Sequence, residues 1–320
     1  MLEYIWVIIM NKELKIHFLN TIWSDAIILE SNNHFAFVDT GSKHYYPMIQ
    51  EHLERFNIKK LDFILLTHFH SDHYGNMQKI IEDYDVDKIY LKHYYGLEAS
   101  TGSGSASTDE YIAEELDKYN GIISSAKAKK VEIIYIDDFP GYEASIFFQD
   151  IELELYDIKN RLFNIYHNPD SEFYMQRRFS QNFNSLGVFI RINSKNIFLG
   201  ADVTDSKTDI VELKGLSRIM VQHFYDKHHL DHIDLYKSCH HGGAGTNTLE
   251  LCNLLKAEYV VITNTDKWLD TWDTYDNLRN ANKDVKILKT DRQRYIFDIK
   301  DEITYDTIID DSLFIKLNLN

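Results

Sequence analysis

The chain of 320 residues is poor in cysteine and proline, and it has no long apolar run. Its two cysteines, Cys239 and Cys252, are too few for a disulfide framework, so we expect two small buried residues in a reducing compartment. Three prolines, and no Gly/Ser-rich stretch between two distinct halves, leave no linker. We therefore predict one domain spanning residues 1–320.

No apolar segment approaches the length of a membrane span, so no membrane partner is expected. The short apolar start has Glu3 where a signal peptide needs positive charge, and no small-residue cleavage pattern follows it. We expect a cytoplasmic protein. Hydrophobic residues make up 44% of the chain, with 21 Tyr and 18 Phe, which is ample apolar surface for a large core.

Basic residues are also scarce relative to acidic ones. The 34 Lys and Arg face 50 Asp and Glu, which gives a formal net charge of −16. Such a field repels a phosphate backbone, so the composition disfavours nucleic acid as a partner. A small anionic substrate remains compatible with this charge if a local positive centre attracts it at contact distance. The sequence carries no signal for the oligomeric state.

The most informative segment is residues 67–73, which directly follow the apolar run 63–66. It places four potential metal ligands within six positions: His68, His70, Asp72 and His73. Desolvating so many ionisable groups is costly, whereas a divalent cation compensates all of them at once. Alternation along an extended chain sends the first two to one side, while the last two fall where a helix begins. The pattern favours two adjacent cations over a polar loop with surface histidines.

Two later segments complete this constellation. Asp202 stands at the end of the apolar strand 196–199, where a carboxylate can bridge two cations, although a helix cap is the alternative. His240 and His241 lie between an apolar segment and two glycines. One of the pair should be a ligand, and spacing does not say which; the other is free to donate a proton or to bind a phosphate. We predict catalytic roles for these three residues and Asp72, and we expect Asp39 to orient a ligand histidine.

The periodicity predicts alternating strands and helices. A β–α–β unit over residues 35–66, with a helix at 46–56, brings the histidine run to the carboxyl end of a strand, where open sheets place their sites. A helix is predicted from His73 to Tyr84, capped by Ser71 or Asp72, and a polar loop covers 100–108. The second half repeats this logic, with helices near 207–211, 249–256 and 274–282. Two sheets between layers of helices are the simplest interpretation.

The order of these motifs resembles the metallo-β-lactamase superfamily. The motifs are Asp39-Thr40-Gly41, the histidine run, Gly200-Ala201-Asp202 and His240-His241-Gly242, and the likeness covers about residues 15–310. The resemblance implies an α/β fold, a four-layer αββα sandwich, and a dinuclear hydrolase. It implies that His68 and His70 bind one cation, that Asp72, His73 and one of His240 and His241 bind the other, and that Asp202 bridges them. Two divalent ions are implied, with zinc expected and manganese or iron as alternatives.

Within the superfamily, residues 61–76 and 86–92 resemble the catalytic domains of teichoic-acid phosphorylcholine esterases. Residues 182–186 resemble the same group and the hydrolase domains of competence proteins of the DNA-uptake channel type. Lactamases and glyoxalases place another histidine before the bridging Asp, but here that region holds Asn182-Phe183-Asn184-Ser185. This departure disfavours β-lactams and thioesters and leaves the first cation open to substrate oxygens. Choline-binding repeats are absent from the sequence, so wall attachment is not expected.

We predict metal-assisted hydrolysis of a small anionic phosphoester, with a phosphodiester such as a phosphorylcholine ester as the first hypothesis. Trp268, Trp272 and Tyr275 either line a pocket for a quaternary ammonium group or pack in the core. One alternative is a competence-type nuclease, which needs a basic groove that the sequence does not show. The other is a non-catalytic, metal-binding regulatory protein, which would bind cations without turnover.

Overall fold

Two β-sheets build the computed structural model, which describes residues 12–94, 96, 109–157, 181–204, 215–269 and 273–309. The described strands, in chain order, are β1 (Lys15–Phe18), β2 (Ala26–Ser31), β3 (His34–Thr40), β4 (Lys60–Leu65), β5 (Asp85–Leu91), β6 (Glu132–Tyr135), β7 (Glu143–Phe148), β8 (Ile151–Tyr156), β9 (Gly187–Ile192), β10 (Lys195–Leu199), β11 (Leu235–Lys237), β12 (Tyr259–Ile262), β13 (Lys286–Lys289), β14 (Gln293–Ile299) and β15 (Ile303–Ile309).

The first sheet has the order β15-β14-β1-β2-β3-β4-β5-β6, and the second has the order β13-β12-β11-β10-β9-β8-β7. Strands β3 to β6 run parallel, as do β10 to β13. Parallel strands covered on both faces read as continuous apolar runs, which explains the segments 63–66 and 259–262. Strand β7 alternates exposed and buried residues, as expected for a strand with one solvated face.

The described α-helices are α1 (Tyr46–Arg55), α2 (Ser71–Tyr74), α3 (Met77–Asp83), α4 (Asp109–Lys129), α5 (Leu216–His228), α6 (Leu249–Leu255), α7 (Asp266–Leu269) and α8 (Thr274–Ala281). Helices α1, α3 and α4 share an apolar cluster with the first sheet, and α5, α6 and α8 share one with the second. None of the described helices is long and apolar enough to cross a bilayer.

A third apolar cluster fills the space between the sheets and includes Phe18, Leu65, Phe148, Ile190 and Val261. Helix, sheet, sheet and helix therefore form four layers, and the predicted αββα fold class is confirmed. The two cysteines are buried free thiols, as expected. Predicted and observed bounds agree within about three residues for the strands around the histidine run.

The predicted helix from His73 to Tyr84 is wrong as a single body, because it is divided into α2 and α3 at Gly75 and Asn76. A Cβ on Gly75 would lie 2.4 Å from the Ser71 carbonyl oxygen and 2.6 Å from Lys43 N, so the chain passes too closely for any side chain. The Asn76 amide donates to the carbonyls of Thr40 and Ser42. These contacts join the histidine run to the end of β3.

The cap prediction is also wrong, because α2 has His70 at its N-cap and no side-chain cap bond from Ser71 or Asp72. Asp72 is directed instead toward His241. Helix α5 was not predicted. The predicted helix near 207–211 and the loop 100–108 lie outside the described residues.

Candidate metal centre

The predicted site residues follow the carboxyl ends of parallel strands from both sheets. Asp39 lies in β3 and His68 follows β4 in the first sheet, while Asp202 follows β10 and His241 follows β11 in the second. Because the carboxyl ends of adjacent parallel strands meet at one edge, side chains far apart in sequence converge there. The centre therefore lies between the two sheets at this edge.

Four side chains form a compact group, called here the four-residue group: Asp72, His73, Asp202 and His241. Asp202 Oδ1 lies 3.2 Å from His73 Nε2 and 3.3 Å from His241 Nε2. Asp72 Oδ2 lies 3.2 Å from His241 Nε2 and 3.7 Å from His73 Nε2. Ligand atoms about 2.0 Å from a tetrahedral cation stand about 3.3 Å apart, and three of these four distances are close to that value.

A second group, called here the three-residue group, consists of His68, His70 and Asp202. His68 Nε2 lies 3.8 Å from Asp202 Oδ2 and 3.0 Å from His70 Nδ1. Asp202 thus presents Oδ1 to the four-residue group and Oδ2 to the three-residue group. This is the geometry that a bridging carboxylate requires.

His240 and His241 occupy different environments, although they are neighbours in sequence. The side chain of His241 is 1% exposed, whereas that of His240 is 32% exposed. His240 Nε2 lies 3.7 Å from Asp202 Oδ2 and 3.2 Å from the Asn182 amide nitrogen. The structure therefore brings His241 into the four-residue group and leaves His240 at the solvent side of the centre.

Two further carboxylates contact the Nδ1 atoms of His73 and His241. Asp39 Oδ2 lies 2.7 Å from His73 Nδ1 and accepts the Thr67 hydroxyl at 2.7 Å. Asp25 Oδ1 lies 3.1 Å from His241 Nδ1 and accepts the Thr263 hydroxyl at 2.7 Å. With Nδ1 fixed in this way, each imidazole directs Nε2 toward Asp202, as metal-binding histidines do.

The Asp39 contact was expected from the sequence, but Asp25 was not. A single aspartate before a strand gives no pattern to recognise. Lys237 was also missed, although a lysine inside the short apolar strand β11 was a usable signal. Its side chain is fully buried and forms an ion pair with Asp25.

The backbone around the centre is strained. Asp39, Ala201, His240 and His241 have φ of 58°, 42°, 46° and 52°, in the left-handed region that non-glycine residues rarely adopt. Gly200 permits a close approach of β10 to the next strand end, since a Cβ there would lie 2.6 Å from Cys239 Sγ. Strain of this kind clusters at functional sites, where the surrounding structure enforces it.

Electrostatics couple the histidines to the carboxylates. Burial lowers the pKa of His73 and of His241, but nearby carboxylates, Asp202 first among them, outweigh this effect. The pKa of His73 is raised well above its usual value, and that of His241 is raised to about 10. Burial raises the pKa of Asp202, yet the neighbouring imidazoles hold it well below its usual value.

The pKa values of His68 and His240 shift in the opposite direction. Burial, reinforced by His73 and His70, lowers the pKa of His68 well below its usual value. Burial also lowers the pKa of His240, against the raising effect of Asp202. The four-residue group therefore concentrates negative charge that protons or cations must neutralise, while His68 and His240 favour their neutral forms.

The chemistry of the residues present fits divalent cations. His73 Nε2 and Asp202 Oδ1 are fully buried, and neither has a hydrogen-bond partner of acceptable geometry among the described residues. Polar atoms left in this state are costly unless a ligand completes them. Imidazole and carboxylate ligands suit zinc, manganese and iron. The four-residue group would hold one cation, and the three-residue group would hold the other.

Other residues considered from the sequence lie elsewhere. His93 stacks on Tyr135 and contacts Asp137, outside both groups. The Tyr275 hydroxyl donates to Asp266, and the Arg279 guanidinium lies 5.4 Å from its ring centroid. Trp272 and the side chain of Trp268 fall outside the described part of the chain. Trp23, which the sequence did not single out, has its ring 6.4 Å from that of His240.

Comparison with known proteins agrees with this architecture. Residues 24–169 match the sequence model of the metallo-beta-lactamase superfamily. The metallo-beta-lactamase fold protein YhfI from Bacillus subtilis superposes with a TM-score of 0.50 at 11% identity, covering 90% of this chain and 100% of that one. No curated protein matches by sequence.

Two weaker structural similarities were also found. Igni18, a metallo hydrolase from Ignicoccus hospitalis, gives a TM-score of 0.45 at 12% identity over 91% of this chain and 98% of that one. A diphosphatase from the PhnP family gives a TM-score of 0.41 at 16% identity over 83% of this chain and 81% of that one. These similarities concern the fold.

Proposed function

We propose that this chain, whose family match and fold support membership of the metallo-β-lactamase superfamily, is a dinuclear metal-dependent phosphoesterase. The observation that carries the proposal is the shared carboxylate of Asp202. One of its oxygens belongs to a compact set of four candidate ligands, and the other faces a second, smaller set. A single bridging carboxylate between two histidine-rich groups is the arrangement that two-metal hydrolysis needs.

When bound, two divalent cations would supply Lewis acidity and a nucleophilic water at neutral pH. The protein contributes the positions of the ligands. Asp202 and Asp72 provide the anionic oxygens, and His68, His70, His73 and His241 provide the imidazoles. Asp39 and Asp25 keep Nδ1 of His73 and His241 engaged, so that Nε2 of each ring faces the cation.

His240 is the proposed proton donor to the leaving oxygen: burial lowers its pKa in the free protein, and the negative charge of a bound phosphoryl group would raise that pKa again. Its ring is partly exposed, it faces Asp202, and the Asn182 amide contacts Nε2. It belongs to neither ligand group, so its partly exposed ring is available to the substrate side of the reaction. General acid catalysis by such a residue contributes about 10²- to 10⁴-fold to the rate.

A phosphodiester is the substrate class that the site favours. Among the described residues the three-residue group offers three candidate ligands, which would leave coordination positions for substrate oxygens, and the Asn182 amide lies close by at His240 Nε2. The positive charge of two bound cations would attract a phosphoryl group despite the acidic chain as a whole. The half-buried Trp23 beside His240 offers an aromatic wall for the quaternary ammonium of a phosphorylcholine ester.

A substrate panel with metal-quantified protein tests the proposal. We expect turnover of bis(p-nitrophenyl) phosphate and p-nitrophenyl phosphorylcholine, and little or none of single-stranded DNA or a β-lactam. Substituting His68→Ala or Asp202→Ala should abolish turnover. His34→Ala is the matched control, because His34 lies at the opposite end of β3 and pairs with Asp62. Full activity of the Asp202 variant, or bound cations without phosphoester turnover, would contradict the proposal.

A further inference from the structure

Lys237 lies buried between the two strand ends that carry Asp202 and His241. Its ammonium forms an ion pair with the Asp25 carboxylate and donates a hydrogen bond of 3.1 Å to the Ala201 carbonyl. The side chain has no exposed surface. Burying an ammonium group costs desolvation free energy, and the ion pair with Asp25 offsets part of that cost.

The two oxygens of Asp25 contact different partners. Oδ2 receives the Lys237 ammonium, while Oδ1 lies 3.1 Å from His241 Nδ1 and accepts the Thr263 hydroxyl. Lys237 therefore fixes the rotation of the carboxylate that orients the His241 ring. Without the ammonium, Asp25 would be a buried charge free to turn away from the imidazole.

The second contact of Lys237 acts on the other side of the centre. The Ala201 carbonyl accepts both the Lys237 ammonium and the His240 backbone N–H, the latter at 2.8 Å. Ala201 has the strained φ of 42° and directly precedes Asp202. Gly200 N donates to the Lys237 carbonyl at 3.1 Å, which ties the same turn to β11.

We propose that Lys237 is a positioning residue that fixes His241 through Asp25 and Asp202 through the Ala201 carbonyl. The cation of the four-residue group then depends on Lys237, whereas the cation of the three-residue group depends on it less, since His68 and His70 follow β4 in the other sheet. This inference rests on the proposed dinuclear centre. It assigns a role to a residue that touches neither cation.

The variant Lys237→Met tests this role by removing the ammonium while retaining the length of the side chain. We expect it to keep its circular dichroism spectrum. Its affinity for the zinc ion of the four-residue group should fall about 10- to 100-fold, with a smaller loss at the three-residue group. Zinc retained against chelators of graded affinity gives the two constants. Co²⁺ absorption spectra should show the tetrahedral band of the four-residue group weakened.

Lys195→Met is the matched control. Lys195 pairs with Asp234 at 3.1 Å at the amino ends of β10 and β11, so it joins the same two strands away from the centre. We expect this control to bind both zinc ions as wild type does. Wild-type zinc affinity in Lys237→Met, or an equal loss in Lys195→Met, would overturn the proposal.

Asp25→Asn keeps the test decisive if the methionine variant does not fold. It preserves the shape of the side chain but removes the negative charge that pairs with Lys237, so it should also weaken zinc binding at the four-residue group. The double variant should lose little more than the worse single variant, because one contact chain is broken twice; fully multiplying losses would refute action through Asp25. If wild type binds no cations, the proposed function fails as well; if it binds two and Lys237→Met is unaffected, only this inference fails.

Discussion

At the residue scale, His240 and His241 show how one turn gives two neighbours different chemistry. Both have left-handed φ, so successive side chains diverge and do not alternate as they would in a strand. His241 is clamped by Asp25, Thr263 and the Asn264 amide, which donates to its carbonyl. The His240 side chain contacts the Asn182 amide and reaches solvent. This contrast separates a candidate ligand from a candidate acid.

His241→Ala and His240→Ala should therefore fail in different ways. We expect His241→Ala to lose the zinc ion of the four-residue group. We expect His240→Ala to retain both ions while kcat falls about 10²-fold or more. The loss of kcat in His240→Ala should be smaller for substrates that release p-nitrophenol and larger for substrates with poor leaving groups, because a good leaving group needs no proton. Metal analysis and kcat over a series of leaving groups check this. Loss of zinc from His240→Ala would indicate that His240 is a metal ligand and would contradict its role as the acid.

At the residue scale, the sequence singled out most of the side chains that the structure brings together, because these candidate ligands occur in short, dense motifs. His68, His70, Asp72 and His73 stood out as one dense run after an apolar strand, and Asp202 was preferred as a ligand over a helix cap because of that run. The choice between His240 and His241 was not predictable, because it depends on two backbone angles and on contacts with Asp25, 216 positions away. Asp25 acquires its role from tertiary packing, which leaves no local pattern.

At the element scale, α1 packs on the first sheet through a buried polar cluster. His17 in β1 lies 3.0 Å from His52 in α1, and His52 lies 3.2 Å from the Arg294 guanidinium of β14. His17 also contacts Glu30 at 3.0 Å. The side chains of His17, His52 and Arg294 are buried, so the seam between α1 and the sheet is held by hydrogen bonds as well as apolar contact.

This seam should make the fold acid-sensitive. Burial, reinforced by His17 and Arg294, lowers the pKa of His52 to about 2, so the folded protein resists protonation there while the unfolded chain protonates near 6.5. Stability therefore falls as pH drops below about 6.5, by about 1.4 kcal/mol per pH unit for this histidine. Urea unfolding from pH 5 to 7 should show that slope reduced in His52→Gln. If the dependence of unfolding free energy on pH were the same in His52→Gln, the seam would not be the cause of the acid sensitivity.

Element boundaries that depend on distant contacts were the part of the fold that the sequence did not predict. Strands β3, β4, β10 and β12 followed from apolar runs, because parallel strands are buried on both faces. The break between α2 and α3 did not, since it results from Gly75 meeting Ser71, Lys43 and Gly41. Helical periodicity continues across this break, so pattern alone favoured one helix.

At the scale of the whole molecule, the candidate ligands join the two halves of the sandwich. His68, His70, Asp72 and His73 come from the first sheet side, and Asp202 and His241 come from the second. Cations bound between them would stabilise the folded state only, because the unfolded chain does not assemble these ligands. Metal content and global stability should therefore change together.

Metal binding should release protons from the folded protein. His73 and His241 have raised pKa values, the latter about 10, so both carry protons at pH 7.5 in chelated protein. Loading two cations should displace about two protons, since coordinated imidazole must be neutral. Calorimetry in two buffers with different ionisation enthalpies gives the number directly. A value near zero would show that these imidazoles are not the atoms that cations contact.

The same shifts predict how chelation changes stability with pH. In chelated protein, His241 holds a proton up to about pH 10, whereas the unfolded chain loses it near 6.5. Between these values the folded state binds more protons, so its stability falls as pH rises, by about 1.4 kcal/mol per pH unit for each such histidine. Cations replace these protons and remove the loss. The gap in Tm between zinc-loaded and chelated protein should therefore widen from pH 6.5 to 9. His34→Ala should preserve this trend, and a constant gap would show that the cations bind away from His73 and His241.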